Sequence, residues 1–243
     1  MLQALVFDVD GTLADTEAAH LAAFNQAFAE DGLDWHWSEA AYTRLLEISG
    51  GKERILHYWR SVQPDLVDLA AGVRDTVARL HSLKTAYYES AVQQGAVQLR
   101  AGVLAMIEQA QKKKKKMAIA TTTSPVNIST LLRQAIGDDW RHYFAVVEDA
   151  RTAPQKKPHP QVYLQTLAQL KLPASACIAF EDSANGLQAA RAAGLPTIIT
   201  RNSFTAKHDF TGALQVLPSL AGVTLAQVQA WHASANTTPQ LEK

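Results

Sequence analysis

Phe7-Asp8-Val9-Asp10-Gly11-Thr12 is the stretch of sequence on which the fold turns. Leu5-Val6-Phe7 is a short apolar run, the length and bulk of a buried strand. Two aspartates follow where that strand should end, and then a glycine suited to a tight turn. A pair of carboxylates at a strand exit is costly to bury without a cation or phosphate chemistry beside it. A functional site is therefore expected at Asp8 and Asp10.

Outward from this stretch, short β-like runs recur at Ala4–Phe7, 117–120, 145–147, 177–180 and Thr197–Thr200, with helical patterns at 126–135, 160–170 and 185–193 between the later ones. Strands alternating with helices predict an α/β fold, a doubly wound parallel sheet of Rossmann-like type. Ligands in such sheets bind beyond the carboxyl ends of the strands. Between the first two strands no further strand is legible, only helical spacing at Glu17–Glu30, 38–46, 52–61 and 74–94 with Trp35, Trp37 and Trp59. One crossover helix needs far fewer residues. The excess predicts an inserted α-helical cap domain over 16–98, hinged near Asp15-Thr16 and 98–102, on a core of 1–15 and 99–243.

The 243 residues suffice for a well-buried core. Net charge is zero, which argues against a nucleic-acid partner. No apolar run approaches the roughly 18–20 residues that span a bilayer. Strand-like sequence begins almost at once, so no signal peptide is expected and a cytoplasmic location is. The lone Cys177 sits in an apolar run and reads as a core thiol. Five lysines at 112–116 read as the solvated end of a helix rather than a phosphate site, and 233–243 as a frayed polar tail.

If the sheet is parallel, its strand ends bring together Asp8 and Asp10, then Thr121, Thr122, Thr123 and Ser124, then Glu181 and Asp182, with Lys157 at a helix start. Carboxylates, hydroxyls and one cation suit phosphoryl transfer. One carboxylate can attack phosphorus and a second can move the proton of the leaving oxygen. Mg²⁺ prefers oxygen ligands and would screen them, with Asp8 and Asp182 as candidates to hold it. A threonine hydroxyl and a lysine can hold phosphate oxygens.

In order, the Asp8–Asp10 stretch, Thr121, Lys157-Pro158 and Glu181-Asp182 resemble the four motifs of the haloacid dehalogenase-like phosphohydrolases. The helical insertion is similar to the small cap of the family's beta-phosphoglucomutase-like branch. The resemblance implies a phosphatase with Asp8 as nucleophile and Asp10 as general acid/base. It implies Mg²⁺ on Asp8, the Asp10 carbonyl and Asp182, supported by Glu181, and phosphoryl binding by Thr121 and Lys157. The superfamily's dehalogenases lack the second aspartate, so Asp10 argues for phosphate over halide.

Substrate choice should lie in the cap. Glu17 and His20 open its first helix, and Ser49-Gly50-Gly51-Lys52-Glu53-Arg54 is a glycine turn leading into a helix with two cations, suited to a second phosphate. These runs, with Ala14-Asp15-Thr16-Glu17, Gly32-Leu33-Asp34-Trp35 and Gln155-Lys156-Lys157-Pro158, are similar to the CbbY-type xylulose-1,5-bisphosphate phosphatases of Calvin-cycle organisms. That resemblance implies a small phosphosugar substrate, Glu17 on the sugar, a grip by Gly50 to Arg54 on the distal phosphate, and a monomer. A phosphomutase of the beta-phosphoglucomutase type is the alternative, and a non-catalytic scaffold is disfavoured by the intact motif residues.

Overall fold

A computed structural model describes residues 1–64 and 70–237. Its sheet is parallel throughout, with six strands among the described residues. In chain order they are β1 (Ala4–Phe7), β2 (Lys116–Ala120), β3 (Val146–Glu148), β4 (Cys177–Glu181), β5 (Thr197–Thr200) and β6 (Gln215–Leu217). Their order across the sheet is β3-β2-β1-β4-β5-β6. The direction of winding reverses on either side of β1, which places the crevice for a ligand at its carboxyl end. Asp8 follows β1 directly, Thr121 follows β2, and Glu181 closes β4.

Side chains along the strands alternate by size as well as by side. Leu5, Phe7, Met117, Ile119, Ile178 and Phe180 face one layer, with Phe7 and Phe180 stacked at 4.8 Å. There they meet α5 (Val103–Lys112), α6 (Pro125–Ile136) and α9 (Leu225–Thr237) through Met106, Ile107, Leu131, Leu132 and Val228. The other face is small: Ala4, Val6, Ala118, Ala120, Cys177 and Ala179. α7 (Gln161–Leu170) and α8 (Ala184–Ala192) pack against it. Fully burying one of the large aliphatic or aromatic side chains contributes about 1.5–3 kcal/mol. Cys177 is buried as expected, its thiol pushed up to about 11 by burial.

Between β1 and β2 run α1 (Glu17–Glu30), α2 (Glu39–Leu45), α3 (Gly51–Val62) and α4 (Ala70–Gln93). Their aromatic centre of Phe24, Phe28, Trp35, Trp37 and Tyr42 forms a cluster separate from the two sheet layers. The α1 and α4 helices also reach the sheet layer, through Ala23, Tyr88 and Val92. The two chain crossings lie side by side, Ala14 pairing with Leu99. Arg100 ties them. Its Nε meets Asp15 at 2.9 Å, Nη1 donates to the carbonyls of Gly11 and Thr200, and Nη2 to those of Arg201 and Pro218.

Three features differ from the sequence reading. Strand β6 and helix α9 were not expected; β6 has only three residues and α9 spaces few large apolar side chains among Ala and Gln. Helix α9 runs through 233–237, so the polar tail is helical that far, and the remainder of the expected tail, 238–243, lies outside the described residues. In the lysine run, α5 ends at Lys112, but Lys115 and Lys116 turn their ammonium groups onto the carbonyls of Leu2 and Leu170. They lock the amino end of the sheet, opposite the Asp8 edge.

Candidate active site

Beyond the carboxyl ends of β1 and β4, Asp8, Glu181 and Asp182 are buried with one oxygen of each within 4.8 Å of the others. Lys157 enters from the loop before α7. Its Nζ lies 2.7 Å from Asp8 Oδ1, 2.5 Å from Glu181 Oε1 and 2.9 Å from the carbonyl of Ala120. Tyr163 donates to the same Glu181 oxygen. Burial works against the Lys157 charge, but Asp8 and Glu181 outweigh it and hold the ammonium above its ordinary value.

Three carboxylates share one ammonium, and the shortfall is visible in their acidity. Burial pushes Asp8 up to about 7 despite Lys157, and burial with the charges of Asp8 and Glu181 pushes Asp182 well up. Glu181 Oε2 is buried with no hydrogen-bond partner. An all-oxygen, negatively overloaded cluster with an orphaned acceptor suits a hard divalent cation such as Mg²⁺. The β1 turn fits closely beneath it: Gly11 has φ 76°, and a Cβ there would run into the Asp182 carboxylate and the Asn202 amide.

Asp10 faces the helical insertion. His20 Nε2 lies 3.0 Å from Asp10 Oδ1, and Lys84 Nζ lies 2.7 Å from His20 Nδ1. An ammonium can only donate, so Nδ1 is the acceptor and Nε2–H donates to Asp10. Burial, then the Lys84 charge, keep the His20 ring below its ordinary value and hence neutral. Burial opposes the Asp10 charge, but the hydrogen bond donated by His20, with the Lys84 ammonium behind it, holds the carboxyl below the usual range. The His20 ring stacks on Tyr88 at 4.0 Å, which fixes its plane.

A cavity of about 410 Å³ opens from this cluster toward the insertion. Thr121, Thr122 and Thr123 line one wall; the Thr123 N–H donates to Thr121 Oγ1, and Ser124 caps α6. Gly50, Gly51 and Lys52 at the start of α3 line the same cavity, and Ser49 just before them comes within 3.5 Å of Thr122. Gly50 has φ 98°, and a side chain there would meet Glu53 and Lys156. Lys52 is exposed with no ion-pair partner among the described residues. Glu53 is engaged across the cleft by Lys156 at 2.6 Å. Arg54 also lines the cavity, and it donates to the carbonyls of Leu45 and Ile48 and to Tyr42 Oη, so it braces the turn. Glu17 borders the cavity with one oxygen taken by Tyr42 at 2.6 Å.

Thus Asp8, Asp10, Glu17, His20, the glycine turn, the threonines, Lys157, Glu181 and Asp182 line one cavity. Glu53 reaches the same rim through Lys156. Sequence reasoning missed His81, Lys84, Arg151 and Lys156, which add basic groups to the lining. Burial and the charges of Lys84, Lys52 and Lys156 drive His81 down to about 3. It also missed Asn202, whose Nδ2 donates to Asp182 Oδ2 at 2.8 Å.

The family profile of the haloacid dehalogenase-like hydrolases matches residues 2–194. The chain belongs to that family. Within it the enzyme is a phosphatase that groups with the CbbY proteins. It is 49% identical to the plasmid-borne Protein CbbY of Cupriavidus necator, over 95% of this chain and 97% of that one. The fold is similar to the crystal structure of CbbY from Rhodobacter sphaeroides in complex with phosphate: TM-score 0.87, 38% identity, 94% of this chain and 100% of that one. It is equally similar to an Asp-to-Asn variant of that protein in complex with xylulose-(1,5)bisphosphate, at TM-score 0.86 and 38% identity over 93% and 98% of the two chains. Among the described residues no helix is long and apolar enough to cross a membrane.

Proposed function

We propose that this hydrolase removes one phosphate from a sugar bisphosphate, with xylulose 1,5-bisphosphate as substrate and xylulose 5-phosphate as product. The observation that carries the reading is a single cavity lined both by a carboxylate–lysine cluster and by a glycine turn, with the exposed Lys52, which has no ion-pair partner among the described residues, and the half-buried His81 surrounded by cations. The CbbY relative in complex with xylulose-(1,5)bisphosphate supports that choice of substrate.

Asp8 is the nucleophile. Lys157 occupies Oδ1 and leaves Oδ2 to attack phosphorus. As the Oδ2–phosphorus bond forms, the bond to the sugar oxygen breaks and Asp10 supplies its proton. The approaching phosphate dianion raises the otherwise low Asp10 carboxyl toward the acid form by like-charge repulsion. Asp10 then takes a proton from water, which attacks the aspartyl phosphate and releases inorganic phosphate. Thr121 and Lys157 hold the transferring phosphoryl oxygens. Mg²⁺ would be held by Asp8, Asp182 and the Asp10 carbonyl, with Glu181 behind them, and when bound it screens the carboxylates from the phosphate. The insertion serves as a cap over residues 16–98 that closes on the distal phosphate and excludes water.

The test is a phosphate-release assay on sugar mono- and bisphosphates, with Mg²⁺ and with chelator. Release of one phosphate from xylulose 1,5-bisphosphate is expected, lost in Asp8→Asn with the fold intact by circular dichroism. Interconversion of hexose phosphates without phosphate release would overturn it in favour of a mutase.

A further inference from the structure

The loop after β5 touches both the Asp182 carboxylate and the helical insertion. Asn202 Nδ2 gives Asp182 its one side-chain hydrogen bond among the described residues, at 2.8 Å. The Asn202 amide cannot rotate freely, because its Oδ1 accepts from the N–H groups of Phe204 at 2.9 Å and Thr205 at 3.1 Å. Thr205 Oγ1 in turn accepts from the Asn202 N–H at 3.1 Å, and Thr205 is buried. Two residues along, Phe204 leaves the sheet side and packs on the aromatic cluster of the helical insertion, meeting Tyr42 edge-on at 6.0 Å. Tyr42 is itself fully buried and held by Glu17 and Arg54. Any displacement of the insertion that moves Tyr42 therefore acts on Phe204, and through a two-residue hydrogen-bonded turn on the amide that holds Asp182.

We propose that Asn202 and Phe204 are positioning residues that couple docking of the helical insertion to the placement of the Asp182 carboxylate. The coupling rests on the reading of Asp182 as a Mg²⁺ ligand, and makes cation affinity depend on whether the insertion is seated. Hydrogen-bonding partners of ligating carboxylates typically change metal affinity by 10–100-fold when removed. Residues acting through one another give non-additive losses, whereas independent ones add.

The experiment is a calorimetric titration of Mg²⁺ into the full chain, without turnover, for wild type, Asn202→Ala, Phe204→Ala, the double variant, Phe204→Tyr and Asp182→Asn. Circular dichroism and melting confirm that each is folded. We expect Asn202→Ala to weaken Mg²⁺ binding about tenfold. Phe204→Ala should weaken it severalfold, the double variant should be no weaker than Asn202→Ala alone, and Phe204→Tyr should restore it. Losses that multiply in the double variant, or an affinity for either single variant within twofold of wild type, would overturn the coupling. Asp182→Asn separates the two readings. If it abolishes Mg²⁺ binding while Asn202→Ala does not alter it, the coupling alone fails. If it binds as wild type does, the metal site itself fails.

Discussion

Lys84 shows what the site costs the fold. Its ammonium is buried between His20, Phe24 and Tyr88. Burial lowers it, the attraction of Asp10 offsets this in part, and Arg54 lowers it further, to about 8 from an ordinary 10.5. Below pH 8 Lys84 is protonated in both folded and unfolded chains and the penalty is present in full, on the order of 3 kcal/mol. Between pH 8 and 10.5 the folded chain has shed the proton and the unfolded chain has not, so stability rises with pH there and the penalty is gone above. Lys84→Met is therefore expected to be more stable than wild type at pH 7 by about 2 kcal/mol, once the lost hydrogen bond to His20, about 1 kcal/mol, is subtracted. The gap should close between pH 8 and 10.5 and turn to about 1 kcal/mol in favour of wild type above it, which denaturant midpoints of the two proteins at each pH will report. Turnover should fall in the same variant, since His20 loses the donor that fixes its tautomer. At this scale the legible residues were those beside a strand end, such as Asp8 and Asp182, because a carboxylate set against an apolar run is too costly to keep unless it serves a site. His81 and Lys84 were not legible, because on the long helix α4 a basic residue reads as solvated surface until its partners are known.

Among elements, the two chain crossings between sheet and insertion carry the sharpest contrast. Arg100 is buried and saturates four backbone carbonyls, whereas its carboxylate partner Asp15 is largely exposed, at 67%. Arg100→Ala would leave buried carbonyls unmatched and should cost about 3 kcal/mol or more. Asp15→Ala should cost less than about 1 kcal/mol, as for other exposed pairs. Melting of the two variants beside wild type measures both. The helical insertion was readable because the long stretch from Phe7 to Lys116, with no strand in it among the described residues, exceeds any single crossover. The three-residue β6 and the weakly patterned α9 were not, because short edge strands and helices of Ala and Gln carry little periodic signal.

Among the described residues, few polar side-chain contacts cross the cleft of the whole molecule: Lys156 to Glu53 at 2.6 Å, Asn185 to the Glu47 carbonyl at 2.9 Å, and Ser49 near Thr122 at 3.5 Å. Such contacts are individually weak, which suits the proposed role of the insertion as a cap that opens to release product. Lys52→Ala should lower kcat/KM on the bisphosphate about tenfold while changing hydrolysis of p-nitrophenyl phosphate, which has no second phosphate, less than twofold. Equal losses on both would show that the glycine turn does not read a distal phosphate. The glycine turn was legible in the sequence, but the basic residues that join it in the cavity lining, His81 on α4 and Lys156 before α7, were not, because they are distant from it along the chain.

The place of β1 at the middle of the sheet has a consequence in time. It leaves the ribosome before both of its neighbours, which start at Lys116 and Cys177. At about 5–20 residues per second, β1 waits roughly 10–30 s for the second of them. Helices α1 to α4, whose contacts are mutual, can form while it waits. The apolar Ala4–Phe7 segment meanwhile stays unpaired on both edges. The nascent chain is therefore most prone to aggregate during that interval, and a chaperone that shields the Ala4–Phe7 segment would protect the yield of active enzyme more than one acting after release.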